Sequence, residues 1–183
     1  MDKNFTILLI VIVIGVVAYL AQDRQILYTL GVVKKTGMKI ESFAFKNGGE
    51  IPSRFTCDGE NINPELVFKG VPKNAKSLAL IVDDPNAPMG VWGHWVVWNI
   101  NPKITEINQN SVPIGAVVGE NSANKNEYQG PCPPNGLHHY FFRLYALDTV
   151  FFLDPNTKAL DLIKIMEGHI LDKTEIVGKY ERK

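Results

Sequence analysis

The stretch Ser77–Asn101, SLALIVDDPNAPMGVWGHWVVWNIN, decides the fold class. Ser77 to Asp84 (SLALIVDD) reads as a strand of mixed burial. Trp92 to Asn101 reads as a second strand, dominated by aromatic and β-branched residues. Between them, Asp84-Pro85-Asn86-Ala87-Pro88 must leave the sheet as a rigid loop, because proline cannot donate to a central ladder. Side chains alternate faces along a strand. His94, Val96 and Trp98 are therefore expected on one face, with Asp84 and His94 near strand ends.

Working outward, the same grammar recurs. Leu137 to Asp148 (LHHYFFRLYALD) reads as a third strand, with His138 and Tyr140 on one face and His139 on the other. A stiff loop, Gly130-Pro131-Cys132-Pro133-Pro134-Asn135-Gly136, precedes it. Glu175 to Tyr180 reads as a last short strand. Asn47-Gly48-Gly49 is a turn, and Cys57-Asp58-Gly59-Glu60-Asn61 is a polar loop closed by Pro64. One segment has a different period. Ala159, Leu162, Ile163, Met166 and Ile170 fall at offsets of 3, 4, 7 and 11, the spacing of one helical face. Asp154-Pro155 fits the start of that helix. Many short strands and one late helix predict a mainly β chain: a β-sandwich carrying a peripheral C-terminal helix.

The chain has 183 residues, 45% hydrophobic and 21% charged, with zero formal net charge. That length suits one domain and a short appendage. A neutral chain without a basic stripe gives no long-range attraction for nucleic acid. No dinucleotide-binding glycine pattern or metal-type cysteine pair is present, so no cofactor and no metal are expected.

Phe5 to Ala21 is almost continuously apolar and carries no charge. Its length is at the lower limit for crossing a bilayer, about 17 residues. The reading is residues 1–22 as an N-terminal transmembrane helix, 23–37 as a linker and 38–183 as the folded domain. A cleaved signal peptide fits less well, because Tyr19 stands where a small residue is needed for a cut after Ala21. Lys3 and the amino terminus argue for an inside tail, whereas Arg24, Lys34 and Lys35 argue against it. The short tail favours a domain outside the cytoplasm.

Taken singly, each polar residue of the strands reads as structural. A lone histidine on an apolar strand is more often a hydrogen-bonded core residue than a ligand. Cys57, Cys132, Asp84 and the histidines include the ingredients of a Cys/His hydrolase. Yet Cys132 sits between prolines, not at a helix N-terminus that would activate it. The two cysteines could instead form a disulfide, which spacing cannot decide.

Together the segments carry a resemblance. Asp84-Pro85-Asn86-Ala87-Pro88 resembles the DPDAP signature of the phosphatidylethanolamine-binding proteins. Gly93-His94-Trp95-Val96-Val97-Trp98-Asn99-Ile100 resembles their second signature, and Gly130 to Tyr140 (GPCPPNGLHHY) their third, GxxPPxGxHRY. The likeness spans Met38 to Lys183 and points to the bacterial and archaeal Raf-kinase-inhibitor-like branch. It implies an antiparallel Greek-key β-sandwich with a cavity at one end that binds small anions. By this likeness Asp84, His94, His138 and Tyr140 match the polar residues of the cavity, and Trp92 an aromatic wall. Gly130, Cys132 and Pro133 match a loop that presents backbone N–H groups to the anion.

There are departures. Asn86 replaces an aspartate, His139 an arginine and Cys132 a glycine. The chain ends soon after Tyr180, so the extra C-terminal helix of animal members is not expected. The resemblance implies a non-enzymatic binding protein for phosphate or a phosphorylated head group such as phosphoethanolamine. A protein-directed regulator, resembling kinase or protease inhibitors, is the alternative. A homodimer through an exposed sandwich face is compatible with either. Asp84 is expected to accept from an imidazole and favour its charged form.

Overall fold

The computed structural model describes residues 37–182. They belong to one compact unit, Gly37–Lys183.

The strands in chain order are β1 (Lys39–Glu41), β2 (Gly49–Glu50), β3 (Leu66–Lys69), β4 (Ser77–Asp84), β5 (Trp92–Ile100), β6 (Glu106–Ile107), β7 (Val117–Val118), β8 (His138–Leu147) and β9 (Ile170–Tyr180). A helix, α1 (Ala159–Met166), lies between β8 and β9. The strands form a small sheet in the order β1-β3-β6 and a large one in the order β2-β9-β8-β4-β5-β7. Within the large sheet, β4, β5 and β7 are successive antiparallel neighbours, and β8 returns to the open side of β4. This is Greek-key order.

Two apolar layers hold the unit together. Ile40, Leu66, Phe68 and Ile107 from the small sheet meet Leu78, Leu80, Val82, Val97, Phe142 and Leu144 from the large one. On the opposite face of the large sheet, Ala159, Leu162 and Met166 of α1 cover Ala79, Ile81, Val96 and Trp98. Strand β4 is consequently buried along its whole length, which corrects the expectation of mixed burial. That explains its near-continuous apolar run, which a strand open to water on one face would not tolerate. Each fully buried Leu or Phe contributes about 1.5–3 kcal/mol.

Several expectations need correction. Among the described residues no helix is long and apolar enough to cross a membrane. The expected transmembrane helix falls on residues 5–21, which lie outside the described residues. The described residues are accordingly mainly β with one C-terminal helix. The sheets are not purely antiparallel, because β2 runs parallel to β9. Ile170 does not extend the helical face. The helix stops at Met166, Gly168 turns with φ 83°, and Ile170 begins β9. Nor does Asp154 begin the helix. Its side chain accepts from the Asn156 N–H and its carbonyl accepts from Thr157, closing a separate turn ahead of Ala159.

Cys57 and Cys132 form a disulfide across a sequence separation of 75 residues. It ties the loop after Phe55 to the loop before β8. The Cys57 N–H also donates to the Pro131 carbonyl at 3.1 Å.

Candidate functional site

Asp84 closes β4 and His138 opens β8, and these strands are antiparallel neighbours. Their ends therefore meet. Asp84 Oδ2 accepts from His138 Nδ1 at 2.6 Å, with both side chains buried. Asp84 Oδ1 accepts the Asn86 N–H at 2.8 Å. Asn86 Oδ1 in turn accepts the backbone N–H of His139 at 2.9 Å. The Asp-Pro-Asn turn is thus locked onto β8, and both oxygens of the carboxylate are engaged.

His94 reaches the same place by an irregularity. The β4–β5 register passes from Val82 opposite Trp95 to Asp83 opposite Gly93, so His94 is an extra residue. Such a bulge breaks strict alternation. Val96 and Trp98 pack beneath α1, but His94 lies edge-on to Tyr140, ring centroids 5.2 Å apart. Tyr140 belongs to the layer between the sheets. The expectation that His94 shares a face with Val96 and Trp98 is therefore corrected.

His94 Nδ1 lies 2.7 Å from the Gln129 carbonyl. A carbonyl only accepts, so Nδ1 carries the hydrogen, and in the neutral ring Nε2 keeps a lone pair. Burial pushes the His94 pKa below the ordinary imidazole value. The Gln129 carbonyl, Asp84 and the Gly130 backbone oppose that shift without cancelling it. The expected preference for a charged imidazole does not extend to His94.

Tyr140 completes the group. Its hydroxyl is buried and its hydrogen has no acceptor. Burial first, then the Asp84 charge, pushes its pKa up, while the Cys132 backbone acts in the opposite sense. The phenol therefore stays protonated and keeps a donor to give, with the Cys132 N–H nearby.

These groups line one cavity of about 280 Å³. Asp84, Trp92, His94, Cys132, Pro133, His138 and Tyr140 all contribute to its wall, together with Gln129, Ala87, Pro88, Met89 and Pro134. Gly130 does not line it. Its N–H donates to Asn61 Oδ1 at 2.8 Å, and a Cβ there would collide with the Phe55 carbonyl and Thr56. Gly130 thus lets the loop dock against residues 55–61. Pro133 has no N–H, and neither do its proline neighbours. Cys132 keeps its N–H, which lies toward the Tyr140 oxygen. The rim is apolar, and Met89 is 95% exposed.

Sequence reasoning missed Gln129, which holds His94 and accepts a long bond from Trp92 Nε1 at 3.4 Å. It also missed Asn61, which anchors Gly130. Neither follows from alternation, because both act from loops. A second cavity, of about 760 Å³, is lined by Glu50, Asp58, Tyr180 and Arg182. There Asp58 accepts from the Tyr180 hydroxyl and pairs with Arg182. Among the described residues no cluster of His, Cys, Asp and Glu could hold a metal ion.

Comparison with known proteins agrees with this picture. Residues 41–181 match the family described as phosphatidylethanolamine-binding protein. A UPF0098 protein of Methanothermobacter thermautotrophicus is 51% identical over 150 residues, covering 79% of this chain and 99% of that protein. The phosphatidylethanolamine-binding protein homologue CT736 of Chlamydia trachomatis superposes with a TM-score of 0.77 at 38% identity, covering 81% of this chain and all of its own. YbcL of E. coli, described as a new member of the mammalian family, gives a TM-score of 0.76 at 31% identity and covers 80% of this chain and 99% of its own. With the match running through nearly all of the described residues and the same fold in both solved relatives, the chain belongs to the phosphatidylethanolamine-binding protein family.

Proposed function

We propose that the protein is a non-enzymatic binding protein whose cavity takes the phosphoryl end of a small phosphorylated molecule, such as phosphate or phosphoethanolamine. The observation that carries this reading is the buried Tyr140 hydroxyl whose hydrogen has no acceptor. An unsatisfied buried polar group costs about 1–3 kcal/mol, so it is uncommon without a reason. An oxyanion oxygen would satisfy it, together with the Cys132 N–H. The cavity suits a phosphoryl group with a few attached atoms. The family's own name points to a phosphorylated head group. The hydrolase alternative has no thiolate while Cys132 is held in its disulfide.

The test is calorimetric titration of the full protein with inorganic phosphate and with phosphoethanolamine, beside an Asp84→Ala, His138→Ala double variant. Saturable binding that weakens at least tenfold in the variant, about 1.4 kcal/mol, is expected. Absence of saturable heat in the wild type, or equal binding by a folded variant, refutes the reading.

A further inference from the structure

The hydrogens of the cavity are distributed unevenly. His94 spends its Nδ1–H on the Gln129 carbonyl. The hydrogen bond of His138 Nδ1 goes to Asp84. Each ring is therefore left with Nε2, and a neutral imidazole offers only a lone pair there. The groups that act on the His94 ring come from three directions. Asp84 comes from β4, His138 and Tyr140 from β8, and the Gln129 and Gly130 backbone from the loop before β8. No lysine or arginine is among them. The site thus combines a phenol and one backbone N–H with an acceptor at His94 Nε2, beside a buried carboxylate.

A fully ionised oxyanion has oxygens that only accept. It would meet the lone pair of His94 unmatched, and it would face the like charge of Asp84 in a poorly solvated place. An oxyanion that still carries one O–H fits both constraints. Its hydrogen goes to the imidazole, its charge is smaller, and its other oxygens accept from Tyr140 and Cys132.

We propose that the cavity binds its oxyanion in protonated form, the monoanion of a phosphate monoester or hydrogen phosphate, and discriminates against sulfate, which has no proton to give. His94 is the residue that sets this selectivity. The inference rests on the phosphoryl-binding reading above and adds to it the protonation state of the ligand.

The experiment titrates the full protein with inorganic phosphate, phosphoethanolamine and sulfate, at about pH 5.5 and about pH 8, since a monoester has its second pKa near 6. Each titration is run in two buffers of different ionisation enthalpy. Phosphate is expected to bind at least tenfold more tightly than sulfate at both pH values. Phosphoethanolamine is expected to lose roughly tenfold or more at the higher pH, where only about one molecule in a hundred is still the monoanion. Inorganic phosphate keeps an O–H throughout and should lose less. At the lower pH the heat of phosphate binding should not depend on the buffer, because the ligand brings its own proton. His94→Gln, which offers an amide donor in place of the lone pair, should draw the phosphate-to-sulfate ratio toward one. Sulfate binding as tightly as phosphate, with a proton taken from the buffer, overturns the inference while leaving the phosphoryl site standing. Binding of none of the three overturns the reading beneath it as well. If the variant does not fold, the wild-type comparison of phosphate with sulfate still decides.

Discussion

Removing the bridge between Cys57 and Cys132 should destabilise the protein substantially, chiefly through its unfolded state. The perturbation is the double substitution Cys57→Ser, Cys132→Ser, or mild reduction of the wild type. The bridge closes a loop of 75 residues. On the chain-entropy account, such a loop withholds about 4.5 kcal/mol of freedom from the unfolded chain at 25 °C. The native contacts between the two loops would remain, including the Cys57 N–H to Pro131 carbonyl bond and the Asn61–Gly130 bond. The assay is equilibrium urea unfolding followed by fluorescence and by far-ultraviolet circular dichroism. With a slope of about 2 kcal/mol per molar urea, the midpoint should fall by about 2 M. The slope itself should rise, because an unlinked chain exposes more surface on unfolding. A midpoint that moves by less than about 0.5 M at unchanged slope would refute the argument. It would mean that the unfolded chain is already compact across this loop without the bridge.

Two further expectations concern single residues. His94 is held below the ordinary imidazole value by burial, so the unfolded state binds a proton that the folded state refuses. Its contribution is therefore fully present above the unfolded value of about 6.5 and is lost as pH falls below it, by at most about 1.4 kcal/mol per pH unit. Urea midpoints at about pH 7.5 and about pH 5.5 should show that slope, and His94→Gln should flatten it. Gly178, opposite Tyr140 on β9, has no room for a methyl group: a Cβ there would run into the side chains of Ile51 and Phe45. Gly178→Ala should cost about 1–3 kcal/mol by overpacking, seen as a lower melting temperature, and an unchanged one would count against the tight packing there.

Much of the fold was legible because its central strands are long and chemically plain. SLALIVDD and WGHWVVWNI announce themselves by composition, and Pro85 marks where the first must end. That Asp84 and His138 share a cavity was expected only from the resemblance, because strand spacing by itself does not show which strand ends meet. The small sheet was not. Its strands have two to four residues, too few for alternation to register. The start of β9 was hidden because Ile170 also satisfies the helical period, and only the turn at Gly168 separates the two. The side of the sheet on which His94 stands was misread for a different reason. A bulge is stabilised by what lies beside it, here the Gln129 N–H and carbonyl bonded to His94, and those groups are 35 residues away in sequence. Gly130 was placed at the anion by likeness, whereas the structure uses its missing side chain to let two loops meet.

Strand β4 has a consequence for motion. It is covered on both faces and hydrogen-bonded on both edges, by β5 and by β8. Its amides can meet solvent deuterium only when the whole unit opens, so they report the global free energy. Asp84 is the last residue of that strand, and the facing loop is tied down by the Cys57–Cys132 bridge and by the Asn61–Gly130 bond. Both walls of the cavity are therefore fixed before any ligand arrives, and little ordering is left for binding to impose.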